Sequence, residues 1–313
     1  STQTLLMNYL QAVFVNTHSE LRSGWRIVLF LLIMVGVIAV LFSVLAALGI
    51  AGMFLGRVLV LVGILAATYV MTRFVNKKPF GAVGLFLQER TIKEIGIGFL
   101  LGFLMVAGIF LVEYGLGYVE IARRELVLGD AVLAVGSSLA LFAVVAFAEE
   151  ALFRGYIFQT TIQAITFLPA MILFSTLFAL AHWGNPNVSA GGIVNIAVAG
   201  VWLSFAYMKT RSLWLPFGLH WGWNFSMTTV FSFPTSGLTH PDQQLFLLEQ
   251  SGPEWVTGGA FGPEAGVLAT IALVLCTWHI LKSKLYATPE GIITLDSLED
   301  LATEEHRPPE GGE

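Results

Sequence analysis

Glu149, Glu150 and Arg154 sit together in a long apolar stretch, and so do Phe178 with His182 and His220 with Asn224. Two carboxylates, two imidazoles, a guanidinium and a carboxamide are enough to build an acid–base site. Charged side chains at membrane depth are costly and are usually kept for function, with a partner close by. On a helix advancing 100° per residue, Glu150 and Arg154 lie about 40° apart and can pair, whereas Glu149 lies about 140° from Arg154. The helix thus offers one neutralised carboxylate and one unpaired carboxylate on different faces, and the unpaired Glu149 is suited to general-base work. His182 follows Phe178 by four residues, which stacks ring and imidazole on one face. His220 and Asn224 repeat that spacing behind Pro216, a natural early-helix residue. Both side chains can donate to a developing oxyanion.

No serine or cysteine nucleophile completes a triad: Gly-x-Ser-x-Gly is missing, and Ser175, Ser204 and Ser226 have no distinguishing context. His-Glu-x-x-His, the zinc metalloprotease helix, is also missing. Glu149, His182 and His220 do match a two-His, one-Glu zinc donor set, so a zinc-dependent variant stays open. It leaves the His220–Asn224 pair without a task, whereas a water activated by Glu149 and His182 uses every residue. The expectation is therefore a site without metal or cofactor. The one cysteine, Cys276, reads as a small buried hydrophobe and rules out an intrachain disulfide. Trp202, Trp214, Trp221 and Trp223 read as packing or belt aromatics, and Glu113, Tyr114 and His279 as interfacial residues near span ends.

The elements that must hold these groups are spans. The 313 residues are 56% hydrophobic and 12% charged, with mean hydropathy +0.78, against about 25% charged in soluble domains. That composition means a polytopic membrane protein. The net charge of −5 gives nucleic acid no footing. Apolar blocks fall at approximately 27–50, 57–74, 95–118, 131–160, 168–184, 190–208, 212–231 and 264–283, which predicts an all-α bundle of about eight transmembrane helices. The first block is too long, and too closely followed by others, to be a cleaved signal peptide. Residues 1–26 form an interfacial segment, 27–284 the membrane domain with its motif core at 149–224, and 285–313 an acidic tail, disordered over Glu304–Glu313. Counted from a cytoplasmic N-terminus, Arg22, Arg26, Arg73, Lys77, Lys78, Arg90, Lys93, Lys209, Arg211, Lys282, Lys284 and Arg307 fall inside. Only Arg57, Arg123 and Arg124 fall outside, so both termini are expected to be cytoplasmic, in a prokaryotic plasma membrane. The loop at about 232–263 would be external. On this count Glu149 lies near mid-membrane, His220 toward the cytoplasmic side and His182 toward the outer side.

The combination Glu-Glu-x-x-x-Arg, Phe-x-x-x-His and His-x-x-x-Asn resembles the CAAX protease and bacteriocin-processing family, also known as the Abi or type II CAAX prenyl endopeptidase family. The three motifs occur in order across residues 149–224, on separate hydrophobic spans. The resemblance implies a helical intramembrane protease with its site in a water-filled cavity. It also implies roles: Glu149 as the activating carboxylate, His182 as its partner in orienting water, and His220 with Asn224 as the oxyanion hole. Glu150 and Arg154 would support them. The expected substrate is a membrane-associated protein or peptide, prenylated or not, cut near its C-terminus. A non-catalytic scaffold binding a transmembrane partner through the same cavity is the alternative. A proton-coupled transporter would favour internal repeats, and none is evident. The sequence says nothing of oligomeric state.

Overall fold

The structure, a computed structural model, describes residues 13–15, 21–286, 288 and 295. The expected N-terminal interfacial segment lies largely, and the acidic end Glu304–Glu313 wholly, outside these residues. Nine helices are the main elements among them: α1 (Ser23–Ala47), α2 (Met53–Val70), α3 (Thr91–Gly115), α4 (Leu128–Glu150), α5 (Tyr156–Ile165), α6 (Phe167–Ala181), α7 (Ala190–Thr210), α8 (Trp214–Phe225) and α9 (Val267–Lys282). Wider π-turns extend α2 over Met71–Val75 and α8 over Ser226–Val230, and another joins α4 to α5 over Ala151–Gly155.

Five of these segments are long and apolar enough to cross a bilayer: Ser23–Ala47, Met53–Val75, Thr91–Gly115, Leu128–Ile165 and Ala190–Thr210. Phe167–Ala181 and Val267–Lys282 are apolar but shorter. The expected all-α membrane bundle is therefore present, with five segments of full spanning length among the described residues beside the shorter apolar helices. Helices suit such a chain because lipid offers no partner to backbone N–H and C=O groups. Leu32, Val40, Leu111 and Val132 stand exposed on their outer faces, as side chains facing lipid should. One small departure from all-α is an antiparallel pair of strands, β1 (Val119–Ala122) and β2 (Leu247–Gln250), with Val119 opposite Gln250.

This pair also bears on Glu113, which lies near the end of α3 as expected. It is fully buried there, because the turn into β1 brings Gln250 over it; Gln250 Nε2 donates to Glu113 Oε2 at 2.9 Å. Tyr114 is exposed as expected, and Cys276 is buried in α9. Trp202 and Trp223 are core residues, their ring centroids 6.0 Å apart.

The helix that carries His220 and Asn224 is held by an approach without side chains. α8 packs against α3 along Gly98 and Gly102 on one helix and Gly218 and Gly222 on the other. A Cβ on Gly98 would lie 2.7 Å from the Leu215 carbonyl, and one on Gly222 would collide with the Phe99 carbonyl. Small residues four apart let two backbones touch in this way. Gly222→Ala should therefore push α8 off α3 and destabilise the protein by about 1–3 kcal/mol, a typical overpacking cost. Gly96→Ala, on α3 but with nothing near its Cβ position, should leave the melting temperature in detergent unchanged. Equal melting temperatures for the two variants would show that the crossing does not need its glycines.

Candidate active site

The long segment Leu128–Ile165 carries the first motif at a change of winding. α4 ends at Glu150, and the π-turn Ala151–Gly155 follows at once. Such turns insert a residue and are frequent at functional sites. Glu150 is fully buried, and its Oε1 accepts from Arg154 Nη1 at 3.1 Å, the expected i,i+4 pair. Arg154 also donates to the Gly200 carbonyl on α7 at 3.3 Å and lies 4.7 Å from the centre of the Phe178 ring. The buried cation is thus met by a carboxylate, a carbonyl and an aromatic face.

His220 brings a contact that the sequence did not announce. Its Nδ1 lies 2.9 Å from the same Glu150 Oε1, and its Nε2 lies 3.7 Å from Glu149 Oε2. A carboxylate already paired with Arg154 is an acceptor, so the Nδ1–H donates to it. The imidazole is then fixed with Nε2 toward Glu149. Glu149, more open than Glu150, makes no ion pair with Arg154, and among the described residues the basic group within 4 Å of it is the His220 imidazole. His182 ends α6, and its Nδ1 lies 2.8 Å from the Phe178 carbonyl. That bond places the proton on Nδ1 and leaves the Nε2 lone pair free. The Phe178 ring meets both imidazoles edge-on, with centroids 4.9 Å from His182 and 6.1 Å from His220. Asn224 has no hydrogen-bond partner among the described residues and is almost buried.

Glu149, His182, His220 and Asn224 all line one cavity of about 220 Å³. Water takes about 30 Å³ per molecule in the liquid, so the space admits several. Phe178 lines it too, while Glu150 and Arg154 lie behind the wall. The unequal depths expected from the span count resolve here. α6 has only 15 residues and follows α5 after a single linking residue, Thr166, so His182 does not reach a full span away from Glu149. Among the described residues no group of three or more His, Cys, Asp or Glu is arranged to hold a metal ion.

Glu264 was not foreseen. It too lines the cavity, accepting from Trp223 Nε1 at 3.0 Å and from Ser236 Oγ at 2.8 Å and its amide. Its signal in the sequence is slight, since it lies in a loop rich in Gly and Pro. His240, at the rim, packs edge-on against Phe142 with centroids 5.7 Å apart. Burial, and then the neighbouring charge of Arg57, holds its imidazole below the usual histidine range. The unfolded connection therefore takes up the proton first as pH falls, and stability is lost on acidification through about pH 6.5. The melting temperature should drop between pH 7.5 and 5, and drop less in His240→Phe; an identical fall in both would remove His240 as a cause.

Comparison with known proteins agrees with the motifs. The family described as Rce1-like, type II CAAX prenyl endopeptidase, matches residues 131–226, the segment that carries all seven residues of the three motifs. The resemblance is thereby shown over that segment and bears out, at the coarse level, a membrane protease. The chain is also 25% identical over 225 residues to the uncharacterized protein YyaK of Bacillus subtilis (strain 168), covering 69% of this chain and 72% of that one. No solved structure matches.

Proposed function

We propose that the protein is an intramembrane endopeptidase of glutamate type. The observation that carries this reading is that Glu149, His182, His220 and Asn224, drawn from three separate helices, line a single cavity. Glu149 takes a proton from a water that the free Nε2 of His182 orients. The oxygen of that water bonds to the scissile carbonyl carbon. The carbonyl oxygen becomes an oxyanion, which accepts from the Asn224 amide and from Nε2–H of His220 in its imidazolium form, the Nδ1–H staying on Glu150. The tetrahedral species collapses with cleavage of the C–N bond, and the proton held by Glu149 passes to the departing amine. Glu150 and Arg154 act through His220, fixing its ring rather than touching substrate.

The substrate is a membrane-associated protein or peptide cut near its C-terminus. The test is cleavage of a fluorogenic prenylated C-terminal peptide by the protein in detergent, beside Glu149→Ala and with a strong chelator. Activity lost in the variant and indifferent to chelator supports the reading. Chelator-sensitive activity would assign Glu149, His182 and His220 to a metal site instead.

A further inference from the structure

The cavity has a direction, and the chain carries a charge asymmetry along the same axis. At one end of the bundle the connections lock together: Leu213 N donates to the Gly84 carbonyl at 2.9 Å, Arg90 to the Thr210 carbonyl at 2.7 Å, and Lys209 to the Leu281 carbonyl at 3.1 Å. The Lys and Arg residues of segments 22–26, 73–78, 90–93, 209–211 and 282–284 all belong to this end. At the other end β1 pairs with β2, Arg124 donates to the Gln244 carbonyl at 2.7 Å, and Asn185 to the Ser236 carbonyl at 2.9 Å. Among the described Lys and Arg residues, only Arg57, Arg123 and Arg124 belong there. Short connections rich in Lys and Arg are retained on the cytoplasmic side.

The cavity takes its rim from the second end: Arg57, Asn185, Ser236, Leu238, His240 and Glu264 line it, and no residue of the basic connections does. Its polar floor lies below that rim. Ser138 on α4 hydrogen-bonds Thr229 near the rim, and Glu149 follows eleven residues later, a rise of about 16 Å. Toward the basic end the floor is closed by the buried Glu150–Arg154 pair, Tyr156 and Gln159, whose Nε2 donates to the Val83 carbonyl at 2.9 Å.

We propose that the cavity opens to the non-cytoplasmic face of the membrane, and that its substrates are peptide segments presented from that face rather than cytoplasmic tails. The second half rests on the endopeptidase reading; the first half does not. The chain offers a clean test because Cys276 is its one cysteine and is buried. In a Cys276→Ser background, Leu238→Cys at the rim and Lys78→Cys at the basic end are labelled with a membrane-impermeant maleimide, in right-side-out vesicles and again after detergent. Labelling of Leu238→Cys in intact vesicles, with Lys78→Cys reacting only after detergent, is the expected result. The reverse pattern, or labelling of both in intact vesicles, would overturn the proposal. The wild-type protein in the same vesicles is then given the fluorogenic peptide from outside. Cleavage by right-side-out but not sealed inverted vesicles is expected, and the opposite preference overturns the substrate class. Absence of cleavage even in detergent would count against the endopeptidase reading while leaving the labelling result to stand.

Discussion

Glu149→Ala should lower kcat for peptide cleavage by about a hundred- to ten-thousand-fold, the usual weight of a general acid–base group, with KM little changed. The size follows from where Glu149 stands. It is the carboxylate on the cavity side of the pair, and its neighbour Glu150 is turned away into the wall, engaged by both Arg154 and His220. No second carboxylate of the motif helices lines the cavity to take over. Because Glu149 holds no structural ion pair with Arg154, the variant should express and melt as the wild type does, which separates lost chemistry from lost fold. A Glu149→Ala protein that cleaves at the wild-type rate would dispose of the mechanism.

Glu150→Ala should fail in the other way, by losing the fold. Arg154 is 1% exposed, and removing its carboxylate leaves a buried cation with only a carbonyl and a ring for company. Breaking one partner of a buried pair costs about 3–5 kcal/mol. His220 loses its Nδ1 acceptor in the same step. The double change Glu150→Ala with Arg154→Met should recover much of the melting temperature, because the stranded charge goes with its partner. Should Glu150→Ala alone melt at the wild-type temperature, the pair would not be structural.

Much of this site was legible in the sequence, and for a definite reason. Ionisable residues are rare in spans, so Glu149, Glu150, Arg154, His182 and His220 stood out by type, and i,i+4 spacing gave the Glu150–Arg154 and His220–Asn224 faces. What spacing within a helix cannot give is contact between helices. The bond from His220 to Glu150 joins residues 70 apart, and nothing local announces it. The same holds for Glu113 under Gln250 and for Glu264 beneath Trp223 and Ser236. The glycines of α3 and α8 are visible as two spaced pairs, but their mutual contact is a tertiary fact. Helix boundaries were legible only in part: the break at Thr166 falls in the gap between the apolar blocks 131–160 and 168–184, but the π-turn after Glu150 leaves no mark in hydropathy.

The crossing of α3 and α8 also decides what can move. Interdigitated side chains change rotamer and let helices slide past each other; two backbones in contact have nothing to rearrange. α8, with His220 and Asn224, is therefore the stationary wall of the chamber. The connection that bears Ser236 is held otherwise, by side-chain hydrogen bonds from Asn185 and to Glu264. Such bonds can be exchanged for water one at a time, whereas a backbone crossing has no partner to exchange.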